Sequence, residues 1–313
     1  MTGEELLEQL NILKQENIGF ELFFITTNSE IKKVDLDIKL SKNLQVEFTK
    51  KVFETFNSNS SFKLRSILDL SSEKLESEYF YFDNKTMYAK LQFILDFAVQ
   101  KKIDSFTLDD TKYKNIDAIL MKIGSKSNHI ILYKQNYPVN VISKKSTINI
   151  FKEGDSFKEV IDDIFKIDIN FDLLLVAEHL IVNKLKTLES KLGYSEVIYA
   201  RAYDNIEMIN TLGFIENLDF LREAIRNNRF AKKLNKVQNS LVISIIENEQ
   251  ERVVDFIKNH PKLKQIKFTD DGKLKIDTKV SVERFLKLLD DDYLYSQLTK
   301  MLYDTDSKET LNS

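Results

Sequence analysis

Cysteine and tryptophan are absent from the 313 residues, and there are only 2 prolines and 7 glycines. Without cysteine there is no disulfide, no thiol nucleophile and no cysteine-ligated zinc. The few scattered glycines form neither a G-x-x-x-x-G-K-[ST] phosphate loop nor a dinucleotide fingerprint. No apolar run reaches the roughly eighteen residues that a membrane-spanning helix needs. The start, MTGEELLEQL, is acidic and polar, unlike a signal peptide. These absences predict a soluble protein, fit a reducing cytosol, and leave any membrane association to a partner. An excess of one charge is missing too: 30% of residues are charged, yet the net charge is −3. Any affinity for nucleic acid must therefore come from a local patch.

What is present centres on residues 168–193. Two apolar runs, 171–176 and 179–182, flank Ala177-Glu178. Both are too continuously apolar for half-wet strands, so they predict a buried hairpin at the middle of a sheet. A helix is expected from Asn183 onward.

Earlier in the chain, Thr2 and Glu5 have capping-box spacing ahead of Leu6, Leu7 and Leu10. FELFFIT at 20–26 predicts a strand. Val34, Leu36 and Ile38 alternate with Asp35, Asp37 and Lys39, which predicts a half-exposed strand over 34–40, with Ser41 capping a helix after it. Loops are expected at 57–61 and in the polar stretch 71–78, and extended chain at 62–70. Helical spacing marks 86–100, and 116–123 with 129–134 read as a hairpin. Ser156 and Glu159 form a second capping-box pattern, predicting a helix that carries Phe157, Val160 and Ile164.

The pattern then becomes helical, over 183–192, 195–212, 217–239 and 250–259. A hairpin is expected around 269–272, then helices at 282–289 and 293–303. Helix, hairpin, helix over 250–289 has the order of a winged-helix module. A strand-rich first part and a helix-rich second part make the fold class α+β, with 1–110 as an N-terminal α+β region and 111–313 as a second domain.

One basic surface stands out. Arg222, Arg226, Arg229 and Lys233 fall at i, i+4, i+7 and i+11, on one face of the helix expected over 217–239, and Lys232 and Lys236 extend the row. Glu223 is the only acid between 222 and 236. The chain has seven arginines and three lie here within eight residues, which a lysine-rich composition does not explain. Such a row could follow a phosphate backbone, with binding that falls steeply with salt. The plainer reading is a solvated face paired with nearby acids. Lys101-Lys102 and Lys144-Lys145 are ordinary basic pairs, and Tyr79 and Tyr81 share the polar side of a strand whose Phe80 and Phe82 face inward.

No catalytic or metal-binding constellation emerges, and no cofactor is expected. The D/E-x-K element of metal-dependent nucleases occurs eight times, against about six expected from composition. Asp37 and Lys39, on the strand expected at 34–40, are the nuclease candidates. Asp290-Asp291-Asp292 reads as the cap of the helix expected from Tyr293. His129, His179 and His260 stand apart in no metal-ligand spacing, and His179 reads as a hydrogen-bonded core residue.

Two runs, FDLLLVAEHLIVNKLKTLESKLGY from Phe171 and LLDDDYLYSQLTKMLYDTDSK from Leu288, resemble the KwaB-like proteins of the bacterial Kiwa antiphage system. The likeness covers roughly residues 110–310. It rests on an Asp-containing strand, a short hairpin entering Asn183-Lys184, then Glu189 and Gly193-Tyr194, and Asp-Asp-Tyr-Leu-x-Ser-x-Leu-Thr near the end. The resemblance implies a KwaB-like domain over 111–313 and a cytoplasmic homodimer that binds DNA. It also implies a KwaA-like membrane partner holding the protein at the inner face of the membrane, with phage replication and transcription as the target. It carries over no DNA-contact position, so the candidate DNA-binding residues are Arg222, Arg226, Arg229, Lys232, Lys233 and Lys236. Two other functions stay open: a metal-dependent nuclease, and a structural adaptor whose basic row meets an acidic protein.

Overall fold

Eight strands form one mixed sheet in the order β2-β1-β5-β6-β11-β12-β4-β3. They are β1 (Gly19–Thr26), β2 (Ile31–Val34), β3 (Lys63–Ser66), β4 (Glu78–Phe82), β5 (Ile116–Gly124), β6 (His129–Gln135), β11 (Leu173–Val176) and β12 (His179–Val182). Among these eight described strands, β3 and β4 are the pair that runs parallel. The structure is a computed structural model. It describes residues 1–14, 18–57, 62–67, 78–83, 87–100, 102–107, 113–125, 128–137, 141–142, 150–159, 164–237, 240–296, 298–299 and 301–305. The chain forms two compact units, Met1–Ile67 with Leu75–Leu192, and Gly193 onward. Most of the loops expected at 57–61 and 71–78, the end of the extended stretch at 62–70, and Lys101, Lys144 and Lys145 lie outside the described residues.

The predicted apolar hairpin is the sheet's interior. Every residue of β11 is buried, and β12 is buried at Leu180, Ile181 and Val182. Such strands have no wet face, so their sequence has no alternation. The turn between them puts Ala177 at φ 50. Against the sheet lies α2 (Ile38–Asn57), which buries Leu44, Phe48, Val52 and Phe56 at a spacing of four. The Phe20 and Phe48 rings stack 6.1 Å apart. At the chain start α1 (Gly3–Leu10) carries the expected capping box of Thr2 and Glu5. The stretch 86–100 becomes a short 3-10 turn followed by α3 (Gln92–Val99). Tyr79 and Phe80 are both buried on β4, and the Tyr79 hydroxyl donates to the Thr55 carbonyl at 3.0 Å.

Two sequence expectations give way in this unit. Val34 ends β2, and the rest of the strand expected at 34–40 is instead the entry to α2: the Asp37 carboxylate accepts the Leu40 N–H at 2.9 Å, and Ile38 is 88% exposed. Asp37, rather than Ser41, is therefore the cap, and the alternation of Val34, Leu36 and Ile38 does not mark a strand. The Ser156–Glu159 helix start is β9 (Ser156–Glu159), paired with β8 (Ile150–Glu153) across Gly154-Asp155. Gly154 at φ 62 supplies the left-handed residue of a two-residue turn, a signal that outranks the S-x-x-E spacing. Short strands β7 (Val141–Ile142) and β10 (Ile164–Phe165) pair nearby in the chain order.

The Gly193-onward unit is mostly helical, so the whole is α+β. It holds α5 (Tyr194–Thr211), α6 (Asp219–Ala224), α7 (Asn228–Lys236), α8 (Leu241–Asn248), α9 (Gln250–Asn259) and α10 (Lys279–Leu289). The preceding unit ends with α4 (Leu185–Lys191). Hairpin β13 (Lys267–Phe268) and β14 (Leu274–Lys275) separates α9 from α10, in the expected helix, hairpin, helix order. The helix expected at 293–303 is instead a hairpin of β15 (Tyr293–Tyr295) and β16 (Leu302–Asp304). Asp290-Asp291-Asp292 therefore closes α10 and opens nothing. Asp291 adopts φ 55, its N–H bonds the Leu288 carbonyl, and the Asp292 N–H bonds that of Lys287. That is a Schellman motif with aspartate in the left-handed position.

Candidate functional site

The basic row begins on α6 and ends on α7, which are separate helices. α6 stops at Ala224, and the Asn227 side chain accepts the Arg229 N–H at 3.0 Å to cap α7. An Asn in extended backbone beside a new helix start is a stronger local preference than continuing the old helix. The single face expected over 217–239 therefore does not exist, and Arg222 and Arg229 belong to different helix axes.

Each cation has a definite place. The Arg222 guanidinium donates to Glu207 on α5 at 2.9 and 3.3 Å and to Asp219 at 3.1 Å. Hydrogen bonding to Glu207 raises its already high pKa. Arg229 reaches Glu283 on α10 at 3.2 Å, with its side chain 65% exposed. Lys236 sits 3.8 Å from Asp290 and is mostly buried. These last two pairs step seven residues along both α7 and α10, so the two helices run parallel. Lys232 and Lys233 are half-buried, and the Lys233 ammonium itself is shielded from solvent. Arg226 lies in the break, exposed, and makes no ion pair among the described residues. Glu207, Asp219, Glu283 and Asp290 thus stand beside three of the six cations and offset much of the positive field.

A second basic group was not anticipated. Lys267 and Lys275 are direct cross-strand partners on β13 and β14. Arg284 on α10 donates to the Gln265 side chain at 2.6 Å. These three cations, with Asp277, Thr278 and Val280, line a cavity of about 370 Å³. None of the three cations makes an ion pair among the described residues. The clue in the sequence was the hairpin itself, whose two-stranded register puts lysine opposite lysine.

Asp37 and Lys39 do not form a nuclease pair on a strand. Both are exposed at the first turn of α2, with the Asp37 carboxylate bound to backbone. Among the described residues no group of three or more His, Asp or Glu could hold a metal, and no helix is long and apolar enough to cross a membrane.

Residues 113–299, more than half of the chain, match the family described as Kiwa protein KwaB-like. The chain belongs to this KwaB-like family. It is 26% identical over 318 residues to the Kiwa protein KwaB of Escherichia coli O55:H7 (strain RM12579 / EPEC), with all of both chains covered. No solved structure matches.

Within the KwaB-like segment, the Asp172 and Asn183-Lys184 positions of the resemblance meet at one end of the sheet. Asp172 is 1% exposed. Its carboxylate lies 3.3 Å from Lys184 and 3.8 Å from the buried Lys134, and it accepts the Gln135 N–H at 2.9 Å. Its carbonyl accepts the N–H groups of Asn183 and Lys184. Lys134 also donates to Asp168 at 3.1 Å. Burial pulls the Asp168 carboxyl upward, but hydrogen bonds from Lys134 and Asn170 outweigh it and hold the group below its ordinary range. Lys184 is held above its usual value, the nearby Asp172 charge overcoming desolvation. Two cations and two carboxylates balance, so the cluster fixes the ends of β6, β11 and β12 and leaves no charge for a ligand. Sequence reading found the motif without its partner Lys134, which is 38 residues from Asp172 in the chain.

Proposed function

We propose that the chain is a non-enzymatic DNA-binding component of a bacterial antiphage defence system, working with a KwaA-like membrane protein and assembling as a homodimer. Membership of the KwaB-like family supports the setting. The observation that carries the DNA contact is Arg226, solvent-exposed at the break between α6 and α7 without a carboxylate partner among the described residues. Arg229 and Lys232 follow it on α7, while Arg222 and Lys236 hold the scaffold through their acids and the Lys233 ammonium is buried. Backbone contacts of this kind position DNA without reading its sequence.

With two or three effective phosphate contacts, log affinity should fall against log salt with a slope of about −2 to −3, shallower than six free cations would give. Titration of duplex DNA with the wild type and with Arg226→Ala/Arg229→Ala across a salt series tests the reading. The expected result is weaker binding and a slope reduced by about two. Unchanged affinity and slope would remove DNA binding from this surface.

A protein contact is favoured by a different observation. The hairpin β15–β16 exposes Leu298, Met301, Leu302 and Tyr303, a larger apolar group than isolated surface residues explain. Leu302→Asp should abolish co-purification with a coexpressed KwaA-like membrane protein and leave DNA binding unchanged. Retention of the partner by Leu302→Asp would exclude the hairpin as the contact.

A further inference from the structure

The cavity between β13–β14 and the start of α10 shows a balance opposite to that of α6 and α7. There, carboxylates of the same chain stand beside the cations. Here, Lys267 and Lys275 face each other in register, a like-charge pair that destabilises a hairpin. Arg284 brings a third positive charge, oriented by Gln265 at 2.6 Å. Asp277 is the only acid of the lining. The start of α10 is already capped by Thr278, whose hydroxyl accepts the Ser281 N–H at 3.0 Å, so the three side chains carry the site. Cations that repel one another around a concave space are stabilised by an anion between them.

We propose that this cavity binds the phosphate of a small nucleotide, with Lys267, Lys275 and Arg284 as its ligands. The volume of about 370 Å³ falls within the range of small-molecule sites, roughly 300–1,000 Å³. Val280, 54% exposed, gives the lining an apolar wall beside the charged floor. A planar guanidinium held by an amide is suited to two phosphate oxygens at once, and the two ammonium groups neutralise the rest. The site does not depend on Arg226 or on any other residue proposed to contact DNA.

Calorimetric titration of the full chain with AMP, with inorganic phosphate and with adenosine tests the proposal. AMP should bind, and adenosine should bind at least about tenfold more weakly, since it lacks the group the cations hold. Arg284→Gln and the double variant Lys267→Ser/Lys275→Ser should each weaken AMP binding about tenfold with unchanged circular dichroism, while Arg226→Ala should leave it intact. Removing Lys267 and Lys275 relieves a repulsion, so folding of that variant is not at risk. The proposal is overturned by equal binding of AMP and adenosine, by AMP binding that survives both variants, or by no binding at about 10 mM. If Arg284→Gln weakens duplex DNA while AMP never binds, the phosphate is the DNA backbone's and the small-ligand site is refuted.

Discussion

Glu207 on α5 holds Arg222 on α6 through two guanidinium nitrogens, and Asp219 takes a third at 3.1 Å. A guanidinium so engaged is a brace between helices before it is a ligand for a polyanion. To leave for a phosphate it must give up two carboxylates, and their charges would then face the same polyanion.

Arg222 and Arg226 should therefore separate in experiment. Arg226→Ala is expected to reduce the salt slope of DNA binding by about one. Arg222→Ala should leave that slope unchanged and lower the urea midpoint slightly, because the pair is partly exposed. An equal loss of DNA affinity in both variants would show that the acids around Arg222 do not hold it back.

Local signals were legible, and partners distant in the chain were not. The capping box of α1, the apolar β11–β12 hairpin and α9 are written in neighbouring residues. The row at 222–236 could be counted, but its counter-charges, Glu283 and Asp290, lie 54 residues beyond Arg229 and Lys236. Asn227 sat at a polar position of a plausible helix, so nothing in the periodicity marked the break. The same limit hid the cavity cations, which come from two strands and a helix. At 293–303, apolar residues at 294, 298 and 302 imitate helical spacing; the left-handed turn at Asp291 and the hairpin pairing override it.

Asp37 offers a test of the discarded nuclease pair. Its carboxylate caps α2, so Asp37→Ala should cost about 1 kcal/mol. Asp37→Ser should restore most of that loss, since serine caps a helix but is a poor metal ligand. Urea unfolding of the two variants checks this. A serine variant as unstable as the alanine one would show that the charge itself is needed.

His260 gives the protein a pH-dependent term. The imidazole is buried between Phe256 and Tyr293, with ring centroids 5.4 and 4.6 Å away. Burial lowers its pKa; nearby Asp304 opposes that and Lys262 adds to it. Lys287 also bonds Asp304. Because the folded pKa lies below the unfolded one, the stabilising contribution is complete above the unfolded value, near 6.5. It is lost as pH falls from there through the folded value. Stability measured between pH 7 and pH 5 should decline, and His260→Phe should flatten the decline. An identical slope in that variant would assign the loss to carboxylates.

The charged cluster at the sheet end makes the strongest prediction for stability. Asp172 and Lys134 are both buried, and each depends on the other to offset its desolvation. Removing one charge strands its partner, which typically costs about 3–5 kcal/mol. Asp172→Asn should fall in that range, because it also weakens the acceptor of the Gln135 N–H. Lys134→Met should lose less, since Lys184 remains 3.3 Å from Asp172. The double variant Asp172→Asn/Lys134→Met should then be more stable than the two single losses added together, because neither buried charge remains to be compensated. Additive losses in urea unfolding would mean that the two side chains act through separate contacts, and that the Asp172 position of the KwaB-like motif is held by its backbone bonds alone.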